Sequence, residues 1–418
     1  MNTNSNNTHA YLNIYEQYVE DVSFLWLMRS IAINQPHYNV ADIQALEARV
    51  QVRLDGLMTS MDIVWMLCEK ALVLNGPGEV FVAAIVAFKS HDAAKIQKVI
   101  DAGMVSDATF KGLMSAIAWL PSKISYAWIQ KFMTSKDINH KYLAIALCSI
   151  RRENPGEFLT KFLQREDCLQ HEKLYIRCLR IIGELKRHDL MSALDSAIAS
   201  DNINIAFWAN WSAMLLGNKA LVNKMEPHIF NVSPHQDRAL NITFRVLSIN
   251  DARSWITRLS GDEQQIRTVI KATGILGDPH AVDWLILKMR EPKYARLAGE
   301  SFTFITGIDL EKNQLSQVAP EHYEPIPNED AGDEIVALDD DENLPWPNAT
   351  AVEAMWKQSS VQFAKGQRYL MGKEINKANL TSHIQNPYQR QRQAVAIELA
   401  LLDASQILQN TSAKVLQG

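Results

Sequence analysis

The stretch TGILGDPHAVDWL, residues 273 to 285, places two glycines, an Asp-Pro pair and a histidine close together. Such residues can build a phosphate cradle, a metal corner or a turn. A Walker loop requires a following GK[ST], and a dinucleotide loop requires GxGxxG after a strand. Neither pattern is present, so the stretch is expected to be a turn. The run DDDEN, residues 339 to 343, carries enough carboxylate for calcium but lacks the alternating ligands, central glycine and twelfth-position glutamate of an EF-hand loop. It is expected to be a solvated acidic loop. The histidines form no HExxH, and no GxSxG elbow occurs. His188-Asp189 falls in a polar turn, where a helix cap is expected. Cys68, Cys148, Cys168 and Cys178 show neither CxxC nor zinc spacing and are expected to be reduced core residues. The residue types therefore nominate no catalytic residue, no cofactor site and no metal site.

The elements around residue 277 explain the turn. Ile266, Val269, Ile270, Thr273 and Leu276 recur at helical spacing, and Gly277 suits a left-handed cap. Asp278 is a good N-cap and Pro279 a good first helical residue before Val282, Leu285, Ile286 and Met289. The same grammar recurs upstream. Phe88, Leu120, Ile150, Leu185, Leu216, Leu247 and Leu276 each precede a short polar turn, at intervals of 29 to 35 residues. A period of this length signals stacked repeats, and the absence of TPLH and WxxLG favours short HEAT-like hairpins over ankyrin or tetratricopeptide units. The expected fold is all-α: a right-handed α-solenoid of short HEAT-like hairpins with helical N- and C-terminal caps.

Four regions follow. Residues 1–75 form a helical cap, in which Asn39 and Asp42 open a helix that puts Ile43, Leu46, Val50, Leu54 and Leu57 on one face. Residues 76–312 form the array and residues 313–348 an acidic, proline-containing loop. Residues 349–418 form a helical segment packed on the array, with QRQRQAVAIELALL as its final amphipathic helix. The net charge is −5, and between Asn313 and Trp356 there are eleven acids and no Lys or Arg, so the remainder of the chain is net positive. That balance argues against nucleic acid as a partner. No run is long and apolar enough for a bilayer, and the polar, acidic start does not resemble a signal peptide, so a cytoplasmic location without membrane insertion is expected.

The second helices repeat a basic residue: Lys98, Lys131, Lys161, Lys224, Arg258 and Lys288. If these helices line one face, a mildly basic groove for a protein partner results; amphipathic helices also simply need solvated residues. Trp346, between two prolines in LPWPN, is a further anchor, for the array surface or for a partner. The acidic loop is expected to lie over the basic second-helix face as a displaceable cover.

ARLAGESFTFITGIDL (295–310), DDDENLPWPN (339–348), FAKGQRYLMGKEI (363–375), QRQRQAVAIELALL (389–402) and ALEARVQVRLDGL (45–57) together resemble a bacterial family of largely uncharacterised HEAT-repeat proteins. Its members tend to be encoded beside type VI secretion components. The resemblance implies a non-enzymatic accessory that binds an effector or a part of the apparatus, as adaptor, chaperone or immunity protein. It transfers no catalytic residue. The alternative is a HEAT-like enzyme resembling bilin lyases or DNA glycosylases; the latter would need a strongly basic groove with a buried acid and stacking aromatics.

Overall fold

Asn39 sets the first well-defined helix start: its side chain accepts from the Ala41 and Asp42 amides, and Asp42 accepts from the Asn39 amide. The helix Val40–Leu57 then buries Ile43, Leu46, Val50, Leu54 and Leu57. It packs against the long helix Thr3–Ala32. The computed structural model describes residues 3–321, 323, 339–384 and 388–415, with side chains from residue 12 onward. Among the described residues the fold is all-α, apart from two minimal antiparallel strand pairs. It divides into two compact units, Met1–Leu185 with Asn410–Gly418, and Lys186–Gln409.

In the first unit, helices Pro77–Ser90, Asp107–Trp119, Ile138–Arg151 and Glu172–Glu184 pack side by side in succession. Every residue from Val80 to Phe88 and from Lys141 to Ser149 is buried. A helix enclosed on all sides must be apolar all round, and VFVAAIVAF satisfies that requirement. The intervening helices Ala93–Gly103, Ser122–Thr134 and Glu157–Phe162 each keep one exposed face. The boundary at Leu185 follows the longest of the repeat intervals, which also accommodates an extra short helix, Glu166–Gln170.

The second unit repeats the scheme with Ile203–Leu215, Gln236–Val246, Ile266–Leu276 and Pro292–Thr306 in a row. The stretch TGILGDPHAVDWL forms a hairpin turn between Ile266–Leu276 and Val282–Lys288. Gly277 adopts φ 73°, ψ 28° and its amide donates to the Thr273 carbonyl, while Asp278 caps the His280 amide and Pro279 opens the next turn. Asp278 is itself buried against Arg253, 2.7 Å away.

Each row raises the same difficulty at its helix ends, because the last carbonyls of a helix have no partner within it. Distant groups supply those partners. In the first unit Arg151 donates to the Ala118 carbonyl and Asn410 to that of Ile150. In the second, the Lys186 ammonium reaches the Leu215 and Ala400 carbonyls. Arg368 donates to Arg245 O at 3.0 Å and Leu276 O at 2.8 Å. The backbone of residues 369–372 continues the series, with Tyr369 N on Gly277 O, Met371 N on Phe304 O and Gly372 N on Ile305 O. This segment belongs to the strand pair Tyr369–Leu370 with Lys373–Glu374. It lies so close that a Cβ on Gly277 would fall 2.1 Å from Tyr369 O.

Two expectations need correction. The helix Gln389–Leu402 is enclosed and not two-sided, with every residue from Ala394 to Ala400 buried. Its one acid in that run, Glu398, is neutralised by Arg368 at 2.6 Å and Arg245 at 3.3 Å, which is why an ionic residue survives there. The run DDDEN is not uniformly solvated. Asp341 is 4% exposed and forked by Arg267 at 2.7 and 2.8 Å, and Asp339 pairs with Arg296 and Tyr323. These arginines stand on the helices Ile266–Leu276 and Pro292–Thr306, so the described end of the acidic loop is fixed to first helices and not spread over the second-helix face. Residues 324–338, the rest of the proposed cover, lie outside the described residues.

Two substitutions test the fit at the helix ends. Gly277→Ala is expected to destabilise by about 2–4 kcal/mol, from left-handed strain plus overlap with Tyr369. Gly366→Ala, also at positive φ but in open space, should cost only the strain of about 1–2 kcal/mol. Urea unfolding of both variants checks the difference. Arg368→Met leaves Glu398 with one partner and uncaps two carbonyls, and should cost about 3–5 kcal/mol by the same measurement.

Candidate functional site

Of the recurrent cations five are exposed and Lys288 is largely covered, and most are already engaged. In the first unit, Lys98 pairs with Glu69 at 2.5 Å, and Lys161 pairs with Glu157 at 3.3 Å while lying over the Phe158 ring. Lys131 lies 4.1 Å from the Trp128 ring centroid. In the second unit, Arg258 pairs with Glu226 at 2.6 Å and lies 4.2 Å over Phe230. Lys288 pairs with Glu291 and lies between Trp284 and Tyr294. Lys224 is exposed on the 3-10 turn Lys219–Met225, not on an α-helix. Lys161, Arg258 and Lys288 thus share one arrangement, a cation resting on an aromatic ring beside a carboxylate. At Lys98, Lys161, Arg258 and Lys288 the nearby acid offsets the base, so these positions present polar edges with little net positive potential.

Trp346 sits in the strand Trp346–Pro347, paired with Ser316–Gln317. Its ring receives the Arg296 guanidinium at 4.6 Å and meets Tyr323 edge-on at 4.7 Å. Arg296 also donates to the Asp341 carbonyl at 2.9 Å and the Tyr323 hydroxyl at 2.7 Å. The tryptophan is thus held by its own unit, half-buried. Sequence reasoning noted Trp346 but missed the arginines that hold the segment. A signal was present: Arg238, Arg267 and Arg296 recur at intervals of 29, one per repeat, near the start of each first helix. Arg238 lies over Trp208, Arg267 grips Asp341 and Arg296 grips Asp339.

One cleft brings a predicted cation together with residues that the sequence did not single out. It lies in the first unit where the end of Ser122–Thr134 meets Glu157–Phe162, and has a volume of about 450 Å³. Met133, Phe158 and Phe162 supply apolar wall, and Lys141, Lys161 and Arg165 supply charge; no carboxylate lines it. Lys141 is 3% exposed and its ammonium donates to Ser135 O at 2.5 Å. Arg165 pairs with Asp167 at 2.6 Å on the exposed side.

Other titratable groups are buried and committed to structure. Burial alone would raise the Glu184 carboxyl, but Arg180 at 2.8 Å, Arg152 at 2.9 Å and the Ser149 hydroxyl hold it below the usual range. Burial pushes the Cys68 and Cys148 thiols up to about 12 and Cys178 higher, so at neutral pH they are protonated and weak nucleophiles. His228 and His235 pack around Phe207, with His235 stacked at 4.2 Å. Burial, with His228 and Arg238 nearby, pushes His235 down to about 4, so this cluster is neutral at pH 7. Among the described residues no group of three or more His, Cys, Asp or Glu could hold a metal ion. No described helix is long and apolar enough to cross a membrane.

Lys186 provides a pH-dependent readout. Burial pushes its ammonium from the ordinary 10.5 down to about 8, against the pull of Asp403. The folded pKa is the lower one, so the unfolded chain binds more protons between these values and stability must rise with pH across that window. Urea midpoints measured near pH 7 and near pH 9.5 should show the wild type gaining relative to Lys186→Met. Parallel pH profiles would show that the amine does not titrate abnormally.

Comparison of the chain with protein-family models, with curated proteins and with solved structures found no match in any of the three.

Proposed function

We propose that this chain is a non-enzymatic protein-binding scaffold, a right-handed α-solenoid of short HEAT-like hairpins, acting in the cytoplasm as a type VI secretion accessory. Its partner would be a secretion effector or a component of the apparatus, held by the chain as adaptor, chaperone or cognate immunity protein. The observation that supports a binding role is the division of labour within each unit. First helices bury one another along a row, while second helices present exposed cations on aromatic rings: Lys131 on Trp128, Lys161 on Phe158 and Arg258 on Phe230. Tryptophan and arginine, here Trp128 and Arg258, are residue types that concentrate binding energy in protein interfaces. The secretion role rests on the family resemblance of the motifs at 295–310, 339–348, 363–375 and 389–402.

Tagged full-length chain should co-purify from its cell of origin with a defined protein at fixed stoichiometry. The reciprocal tag on that protein should recover this chain, and its gene should lie beside secretion genes. A chain that stays alone at several salt concentrations and expression levels would contradict the scaffold reading. A partner unrelated to secretion would contradict only the secretion role.

A further inference from the structure

We infer that the cleft between the end of Ser122–Thr134 and the helix Glu157–Phe162 binds an acidic segment of the partner, one that carries apolar residues beside its carboxylates. The inference rests on the protein-binding role proposed above and names the chemistry of the ligand.

Three features carry it. The lining is one-signed, with Lys141, Lys161 and Arg165 and no carboxylate. Glu157 and Asp167 offset Lys161 and Arg165 from outside the lining, so the uncompensated charge is that of Lys141, which favours an acid beside the low-dielectric wall. Lys141 is the unusual member. Its side chain is almost entirely buried, yet its ammonium has three donors and one hydrogen bond to Ser135 O, which leaves donor capacity at the cleft. The two cations at the mouth hold exposed acids, Glu157 at 87% and Asp167 at 53% side-chain exposure. The exposed single-contact Lys161–Glu157 pair is worth under about 1 kcal/mol, so an incoming carboxylate can replace Glu157 there, whereas the two-point Arg165–Asp167 pair is firmer.

The apolar wall sets the second half of the specificity. Phe162 and Met133 are buried at 3% and 2%, and Phe158 is half-buried at the rim under Lys161. A ligand that was only charged would leave this wall wet, whereas one with a neighbouring leucine or phenylalanine would cover it. The volume of about 450 Å³ suits a few side chains and not a docked helix. A nucleic acid is the less fitting polyanion. Its binding depends on many phosphates meeting many cations, and a chain of net charge −5 with three cations in one cleft does not provide them.

The test is selection of a phage-displayed random heptapeptide library on the full-length protein. Recovered peptides should be enriched in Asp and Glu next to apolar residues. A synthetic peptide of the leading sequence should bind at least tenfold more weakly to Lys161→Glu and to Phe158→Ser. Lys365→Glu, exposed and outside the cleft, should bind as wild type, and thermal unfolding should confirm that all variants fold. The inference is overturned if no peptide is recovered, if the recovered peptides lack acids, or if Lys161→Glu binds undiminished. Binding of a DNA duplex that Lys161→Glu abolishes would also overturn it, in favour of nucleic acid. If Lys161→Glu still co-purifies with the natural partner, the cleft assignment fails while the scaffold reading stands. If the wild type has no partner, the scaffold reading fails first.

Discussion

The carbonyl groups at the C-terminal ends of the buried helices constrain most of what else the chain does. A row of parallel-packed first helices brings those ends to the edge of the core, where an unsatisfied acceptor costs about 1–3 kcal/mol. In the second unit the deficit is met by one continuous piece of chain, Arg368 through Gly372, laid across the ends of three helices. That requirement explains why residues 369–374 form a tight strand hairpin, turning at Met371 and Gly372, in a mostly helical protein. It also explains why Gly277 and Gly307 must be glycine on two counts: each has positive φ, and each faces a backbone carbonyl of the covering strand at 2.1 or 2.5 Å from a would-be Cβ.

Charge in the interior follows the same logic of distant compensation. Glu398, Glu184, Asp341 and Glu47 are all buried, and each is matched by arginine. Removing one partner from such a pair costs about 3–5 kcal/mol, far more than an exposed pair contributes, so these contacts fix which segments lie together. Glu47 extends the pattern to the chain end of the first unit: it binds Arg29 at 2.8 Å and accepts from the Val415 amide, while Arg29 donates to the Ser412 and Ala413 carbonyls.

Local patterns were legible in the sequence because they obey local physics. The Asn39 cap, the Gly277-Asp278-Pro279 turn and the apolar face of Val40–Leu57 each depend on residues within a few positions of one another. The enclosed helix Gln389–Leu402 was misjudged because its polar residues find partners 30 to over 100 positions away, as Glu398 does with Arg368 and Arg245. The acidic loop was misjudged for the same reason, since a count of carboxylates says nothing of the arginines waiting at 267 and 296. The candidate cleft was half legible. Lys161 stood out by its repeat position, but Lys141 lies within a long buried run and nothing in its neighbours announces that its ammonium reaches a cleft.

Hydrogen exchange measured by mass spectrometry on the intact chain bears most directly on the central claim, that residues 368–372 complete the helix ends of the second unit. The amides of Tyr369, Met371 and Gly372 should be protected to the same degree as the last turns of Ile266–Leu276 and Pro292–Thr306, and should lose protection together with them in mild urea. Rapid exchange at 369–372 while both helices stay protected to their ends would contradict the account, because it would mean that those carbonyls do not need the segment laid across them.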